Sequence, residues 1–234
     1  MRASLLAFVF ALCSVTLALA QLDHAERAAQ PAANLSEEKI VAGLKEALEL
    51  STSKAIALTG KHDGFLMNDD IRILLPPKLQ SVGKGMRLLG MGEQVDDLEI
   101  SMNRAAEQAA PQAKPIFLAA LKRITFGNAR RILAGNETAA TDYFRYTCSE
   151  DLSAAFTPVV HRAMERVGLL RQYAHVIKTA PGGGALASQF DLDKYVVEKT
   201  LDGIFFQLGV EESKIRKDPV AQTTELLKDV FGGR

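Results

Sequence analysis

Several groups of polar residues in this chain have the types and spacing that chemistry requires, and each also has a plainer reading. Ser51-x-x-Lys54 has the spacing at which a lysine one helical turn away activates a serine nucleophile. Ser36-x-x-Lys39 and Ser81-x-x-Lys84 repeat it, and the S-D-N and K-T-G companions of such acylating sites are absent from the sequence. There is no G-x-S-x-G and no H-E-x-x-H. Gly83-Lys84-Gly85 lacks the glycine spacing and the following hydroxyl of a phosphate loop. Gly182-Gly183-Gly184 could present a nest of N–H groups to an anion, but no strand leads into it and a hinge is the simpler reading.

His62, Asp63, Asp69 and Asp70 put four potential ligands in one short segment, the kind of oxygen cluster a hard cation takes. A turn followed by a solvated acidic face explains the same residues and is preferred. His161 and Glu165 stand one helical turn apart, as ordinary surface pairs do. No paired-Cys or paired-His spacing supports zinc, so neither a metal nor a cofactor is expected. Thr147 with Glu150 has the form of a capping box. Cys148 would then sit in the first turn, where the helix dipole lowers a thiol pKa; a half-buried apolar role competes with that reading. Arg130, Arg131, Tyr143, Arg145 and Tyr146 gather cations and phenols that could grip a carboxylate or phosphate, or could equally form the rim of a helix interface. Asn34-Leu35-Ser36 and Asn136-Glu137-Thr138 are glycosylation sequons, relevant only in a eukaryotic host.

The elements that must position these residues read as helical almost throughout. Asn34 with Glu37, or Ser36 alone, caps a first helix whose buried stripe is Ile40, Leu44, Ala47, Ser51, Ala55 and Leu58, with Gly60 as a left-handed stop. Residues 71–75 (IRILL) are the one extended candidate, closed by Pro76 and Pro77. A helix with Leu79, Val82, Met86 and Leu89 on one face ends at Gly90 and Gly92. The next carries Val95, Leu98, Met102, Ala106 and Ala109 and breaks at Pro111. Phe117, Ala120, Leu121 and Ile124 form a stripe, and a short helix around Ile132 ends at Gly135. One helix is expected over 137–146, another from Thr147, and a kink or restart at Pro158. After a stripe at Leu170, Tyr173, Val176 and Ile177 comes the Gly-rich loop 180–185. Asp191 caps a long helix that ends at Gly209, and Asp218-Pro219 opens the last one. The expectation is an all-α, single multi-helix domain over 36–234 with about ten short-to-medium helices.

The amino terminus is of a different kind. Arg2, the apolar run Leu5–Leu19 and Ala18-Leu19-Ala20 before polar Gln21 have the form of a cleaved secretory signal over residues 1–20. Cys13 follows Leu12, where a lipid-attachment signal wants a small residue, so simple cleavage is preferred. Residues 21–35 read as a flexible, Ala-rich leader. No other stretch is long and apolar enough to span a bilayer, so the expected location is periplasmic or extracellular. The 234 residues carry 28 Lys+Arg and 28 Asp+Glu, 47% apolar residues and two cysteines. A chain without basic excess is a poor binder of nucleic acid. Two cysteines, one of them in the signal, exclude a disulfide scaffold.

Five ordered blocks carry a family resemblance. They are Asp63-Gly64-Phe65 with Asn68, Ile71 and residues 73–76 (ILLP); residues 102–107 (MNRAAE); residues 139–145 (AATDYFR); Asp191-Leu192 with Tyr195 and residues 201–205 (LDGIF); and Glu211-Glu212 with Ile215, Arg216, Pro219 and residues 226–232 (LLKDVFG). The chain resembles a family of exported bacterial proteins classified only as a domain of unknown function. That resemblance implies a bacterial, exported, mainly helical protein and no particular activity. The polar residues inside the blocks are therefore the candidate site: Asn103, Arg104, Glu107, Tyr143, Arg145, Asp202 and Arg216. They form a polar pocket, or they are buried caps and inter-helix bonds that hold the fold. Three functions follow: a binding or interaction module of the cell envelope with a small-molecule or protein partner, an envelope hydrolase or other enzyme using Glu107 or an acid of the 63–70 loop with Arg145, or a purely structural protein.

Overall fold

A computed structural model describes residues 35–166 and 191–232. The signal, most of the leader and the Gly-rich loop 180–185 lie outside the described residues, as does the stripe at 170–177. The described residues are helical, without a strand. The elements are α1 (Glu37–Gly60), α2 (Gln80–Leu88), α3 (Gly92–Ala109), α4 (Ala113–Lys122), α5 (Phe126–Ala134), α6 (Ala139–Arg166), α7 (Leu192–Lys217) and α8 (Glu225–Phe231), with short 3-10 turns at Pro77–Leu79 and Ala110–Gln112. None of these helices is long and apolar enough to cross a membrane.

The helices are fewer and longer than the spacing of cap signals suggests, and α6 shows why. Thr147 and Thr157 look like N-caps in sequence, yet their hydroxyls donate back to the carbonyls of Tyr143 and Ser153. Ser149 does the same to Arg145. A hydroxyl spent on the carbonyl four residues back is compatible with a continuing helix. The expected helix at 137–146 and its successors are thus one helix of 28 residues with Pro158 inside it. Gly209 likewise does not end α7. A methyl there would lie 3.2 Å from Thr138 Cγ2, so the missing side chain serves the close approach of α7 to the start of α6. The last helix starts at its Thr224 cap, after a turn at 219–221, and not at Asp218.

The first helix is capped by Ser36, whose Oγ accepts from Lys39 N. Its far end departs from expectation. Gly60 is helical, and the left-handed residue is Asp63, at φ 65°. Gly64 then packs against the last carbonyls of α1, with Thr59 O 2.7 Å from where a Cβ would be. Leu58, expected in the core, is partly exposed, and so is Leu89, which lies beyond the end of α2 beside left-handed Gly90.

The core forms where α1, α3, α4, α6 and α7 meet. Phe117 of α4, Phe144 of α6 and Phe205 of α7 stack edge-on, with centroids 5.1 and 6.0 Å apart. Full burial of such side chains is worth about 1.5–3 kcal/mol each. Phe65, also fully buried, fits only because residue 203 on α7 has no side chain. A methyl at Gly203 would overlap the Phe65 ring and sit 3.2 Å from Ile71 Cβ. Gly203→Ala is therefore expected to destabilise by about 1–3 kcal/mol through overpacking, seen as a lower urea midpoint at unchanged slope.

Residues 71–75, the one extended candidate, form no strand: Ile71 and Arg72 close a turn onto Asn68 O, and 72–75 are irregular. Ile71, Ile73 and Leu75 are buried while Arg72 and Leu74 are exposed, the alternation of a half-buried strand. The ladder partners are side chains of α3. Asn103 Oδ1 accepts from Ile73 N at 2.9 Å and its Nδ2 donates to Ile73 O at 2.8 Å. Glu99 accepts from Leu75 N at 3.1 Å.

Candidate functional site

The seven candidate residues do not share one pocket; they fall into four places. The first is a clamp on the chain that leaves α1. Glu107, only 5% exposed, accepts from the backbone N–H groups of Phe65 and Leu66 at 3.1 and 3.2 Å. Its other oxygen accepts from Arg104 at 2.6 Å, and Arg104 donates with its second nitrogen to Asp63 at 2.6 Å. The guanidinium bonded to Asp63 holds that carboxyl below the usual carboxylate range, with a further contribution from His62. Asn103, fully buried, belongs to the same clamp through Ile73 and also donates to Glu99 O. Through these bonds Asn103, Arg104 and Glu107 hold residues 63–73 against α3.

The second place is built the same way. Glu212 of α7 accepts from Ala140 N at 3.0 Å, from Thr141 N at 2.8 Å and from the Thr141 hydroxyl at 2.8 Å. It thereby caps the N–H groups at the start of α6 from 71 residues away. Arg216 donates to Glu212 and to Ile132 O, which ties α5 to the same point. Glu212 was not among the candidates. Its neighbour Arg216 was, and a Glu and Arg four residues apart are the sequence signal that points to it.

Arg145 and Asp202 meet in the third place, an open cleft of about 530 Å³ between residues 70–80, Arg145 of α6 and one face of α7. The Arg145 guanidinium carbon lies 4.6 Å from the centre of the Phe205 ring, within cation–π range. Its bond to Asp202 is long, 3.4 Å, and Asp202 is shared with Lys199 at 3.1 Å. Tyr195 donates its hydroxyl to Leu74 O at 3.1 Å, bracing the far wall. Leu74 and Phe206 line the cleft and remain 51% and 43% exposed. Tyr195, Lys199, Asp202 and Phe206 follow one another at helical spacing, so they form one stripe along α7. That spacing was in the sequence, but it does not distinguish a cleft wall from a solvated face.

Tyr143 stands apart, in a second cleft of about 520 Å³ between α5 and α6, with Asn128, Arg131, Tyr146 and Thr147. Arg131 is turned onto Asn128 at 2.7 Å.

The remaining chemistry candidates resolve as follows. Ser51 is buried and donates to Ala47 O, while Lys54 is exposed, so the Ser–Lys spacing forms no dyad. Among the described residues no three His, Cys, Asp or Glu side chains converge on a metal position. Cys148 lies inside α6, fully buried, and burial pushes its thiol up, opposite to the first-turn expectation. His161 pairs across helices with Asp193 at 2.6 Å and along α6 with Glu165 at 3.4 Å. The hydrogen bond to Asp193, then the charges of Glu165 and Asp193, raise its pKa above the ordinary value. A raised folded pKa stabilises fully below the unfolded value of about 6.5 and ceases to do so as pH rises through the folded value. The stability difference between wild type and His161→Gln should therefore be largest in mildly acidic solution and vanish above the folded pKa, as read by urea unfolding across pH.

A model of the family described as "Protein of unknown function (DUF4197)" matches residues 34–232, and the chain belongs to that family. No curated protein and no solved structure matches it significantly.

Proposed function

We propose that this DUF4197 protein is a binding module of the bacterial cell envelope, exported by its N-terminal signal, and that its ligand occupies the cleft along α7. The observation that carries the reading is Arg145, a guanidinium 4.6 Å from the centre of the Phe205 ring that lines a 530 Å³ opening and has one long bond, to Asp202. Clefts of about 300–1,000 Å³ with apolar walls and a few oriented polar groups are where small ligands bind. Of the carboxylates that an enzymatic reading would pair with Arg145, Glu107 is committed to three bonds in the Arg104 clamp and lines neither cleft, while Asp70 of the 63–70 loop lines the same cleft as Arg145. The plainer reading as a fold-holding group suits Asn103, Arg104, Glu107 and Arg216.

Native mass spectrometry of the protein purified from its own cells tests this. The expected result is a retained non-covalent mass in the wild type that Arg145→Gln and Phe206→Asp both lose. Retention of the same mass by both variants would remove the cleft as the site. The export part is read separately, from a mature chain beginning at Gln21.

A further inference from the structure

We infer that the cleft along α7 takes an amphipathic monoanion: one carboxylate or similar acid group on an apolar chain or ring. This rests on the reading of that cleft as the ligand site. Among the described residues the charged side chains lining it are Arg72, Arg145 and Lys199 against Asp70 and Asp202, a surplus of one positive charge. The surplus is concentrated at Arg145 and Lys199, because both draw on the single carboxylate of Asp202. A guanidinium offers five N–H donors in one plane. Two of those donors match the two oxygens of a carboxylate, and the Phe205 ring lies 4.6 Å from the guanidinium carbon. One uncompensated cation suits one anionic charge, whereas a dianion would leave a charge unmatched in a half-enclosed site.

Apart from Gln80 and the Tyr195 hydroxyl, the rest of the lining is apolar. Phe206 stands one turn beyond Asp202 on α7, and Leu74 and Pro77 face it from the other wall. At 1.5 Å per residue, the stripe from Lys199 to Phe206 runs about 10 Å, the reach of a medium-length acyl chain. Exposed Leu74 and Phe206 lose water contact only when such a body lies between them, so the acid and the apolar part reinforce each other.

The test is an amide-resonance titration of the purified protein with three probes: decanoate below its micelle concentration, decanol and acetate. Decanoate is expected to shift resonances in residues 70–77, at Arg145 and along 195–206. Decanol and acetate should each bind about tenfold more weakly or worse. Arg145→Gln, with an otherwise unchanged spectrum, should weaken decanoate by a similar factor, and Arg131→Gln in the second cleft should bind it like wild type. Decanol binding in the cleft as tightly as decanoate, or Arg145→Gln binding decanoate undiminished, would overturn the monoanion while leaving the cleft as a ligand site. If none of the three probes shifts any cleft resonance, the monoanion inference falls, and the native-mass result decides the cleft separately.

Discussion

Glu107→Ala is expected to lower the unfolding free energy by about 3–5 kcal/mol, the cost of removing one partner from a buried, hydrogen-bonded ion pair. The size follows from what is left behind. Two backbone N–H groups, of buried Phe65 and part-buried Leu66, lose their acceptor, and Arg104 is left with Asp63 among the described residues. An unsatisfied buried donor alone costs about 1–3 kcal/mol. Glu107→Gln should fall between, because its carbonyl oxygen can still accept from the backbone while its amide nitrogen opposes the Arg104 donors. Urea unfolding gives both numbers. Total stabilities run about 5–15 kcal/mol, so the alanine variant is expected to lose a large fraction of its stability.

Glu212→Ala is expected to cost a similar amount, about 3–5 kcal/mol, with a different local signature. Glu212 supplies the acceptors for the first N–H groups of α6, and no residue next to them in sequence does so. Hydrogen exchange at Ala140 and Thr141 should therefore accelerate more than exchange in the middle of α6. The Glu107 variants should instead loosen Phe65, Leu66 and Ile73. Two clamps of the same composition, an Arg and a Glu on one helix gripping the backbone of a distant segment, thus fix residues 63–66 and the start of α6 separately. Because they share no residue, their effects should add.

The all-helical class was legible in the sequence because apolar stripes at spacings of three and four are local facts. Ser36 and Asp191 were legible as caps for the same reason. The long α6 was not. Thr147 and Thr157 carry a cap's chemistry, and only their tertiary setting decides that they bond backward instead. Gly209 reads as a stop until one sees Thr138 pressed against it. Among the site residues, Asn103 and Glu107 stand one helical turn apart, a spacing that puts both on one helical face. It could not say that the face turns inward onto residues 63–73. The cleft was half visible: Arg145 and Asp202 stood out inside their blocks, whereas Lys199, Leu74 and Phe206 look like ordinary surface residues until α6, α7 and the 70–80 segment meet.

The division of these polar residues into fold-holding clamps and one cleft-facing arginine is tested most directly by urea unfolding of Arg145→Gln beside Glu107→Gln. Arg145 is about half exposed, its ion pair is long, and a cation–π contact at such a site is worth about 0.5–1 kcal/mol. The predicted result is that Arg145→Gln unfolds within about 1 kcal/mol of wild type while Glu107→Gln loses clearly more. An Arg145→Gln loss equal to that of Glu107→Gln would contradict this, making Arg145 a third clamp and leaving the cleft without its anchor.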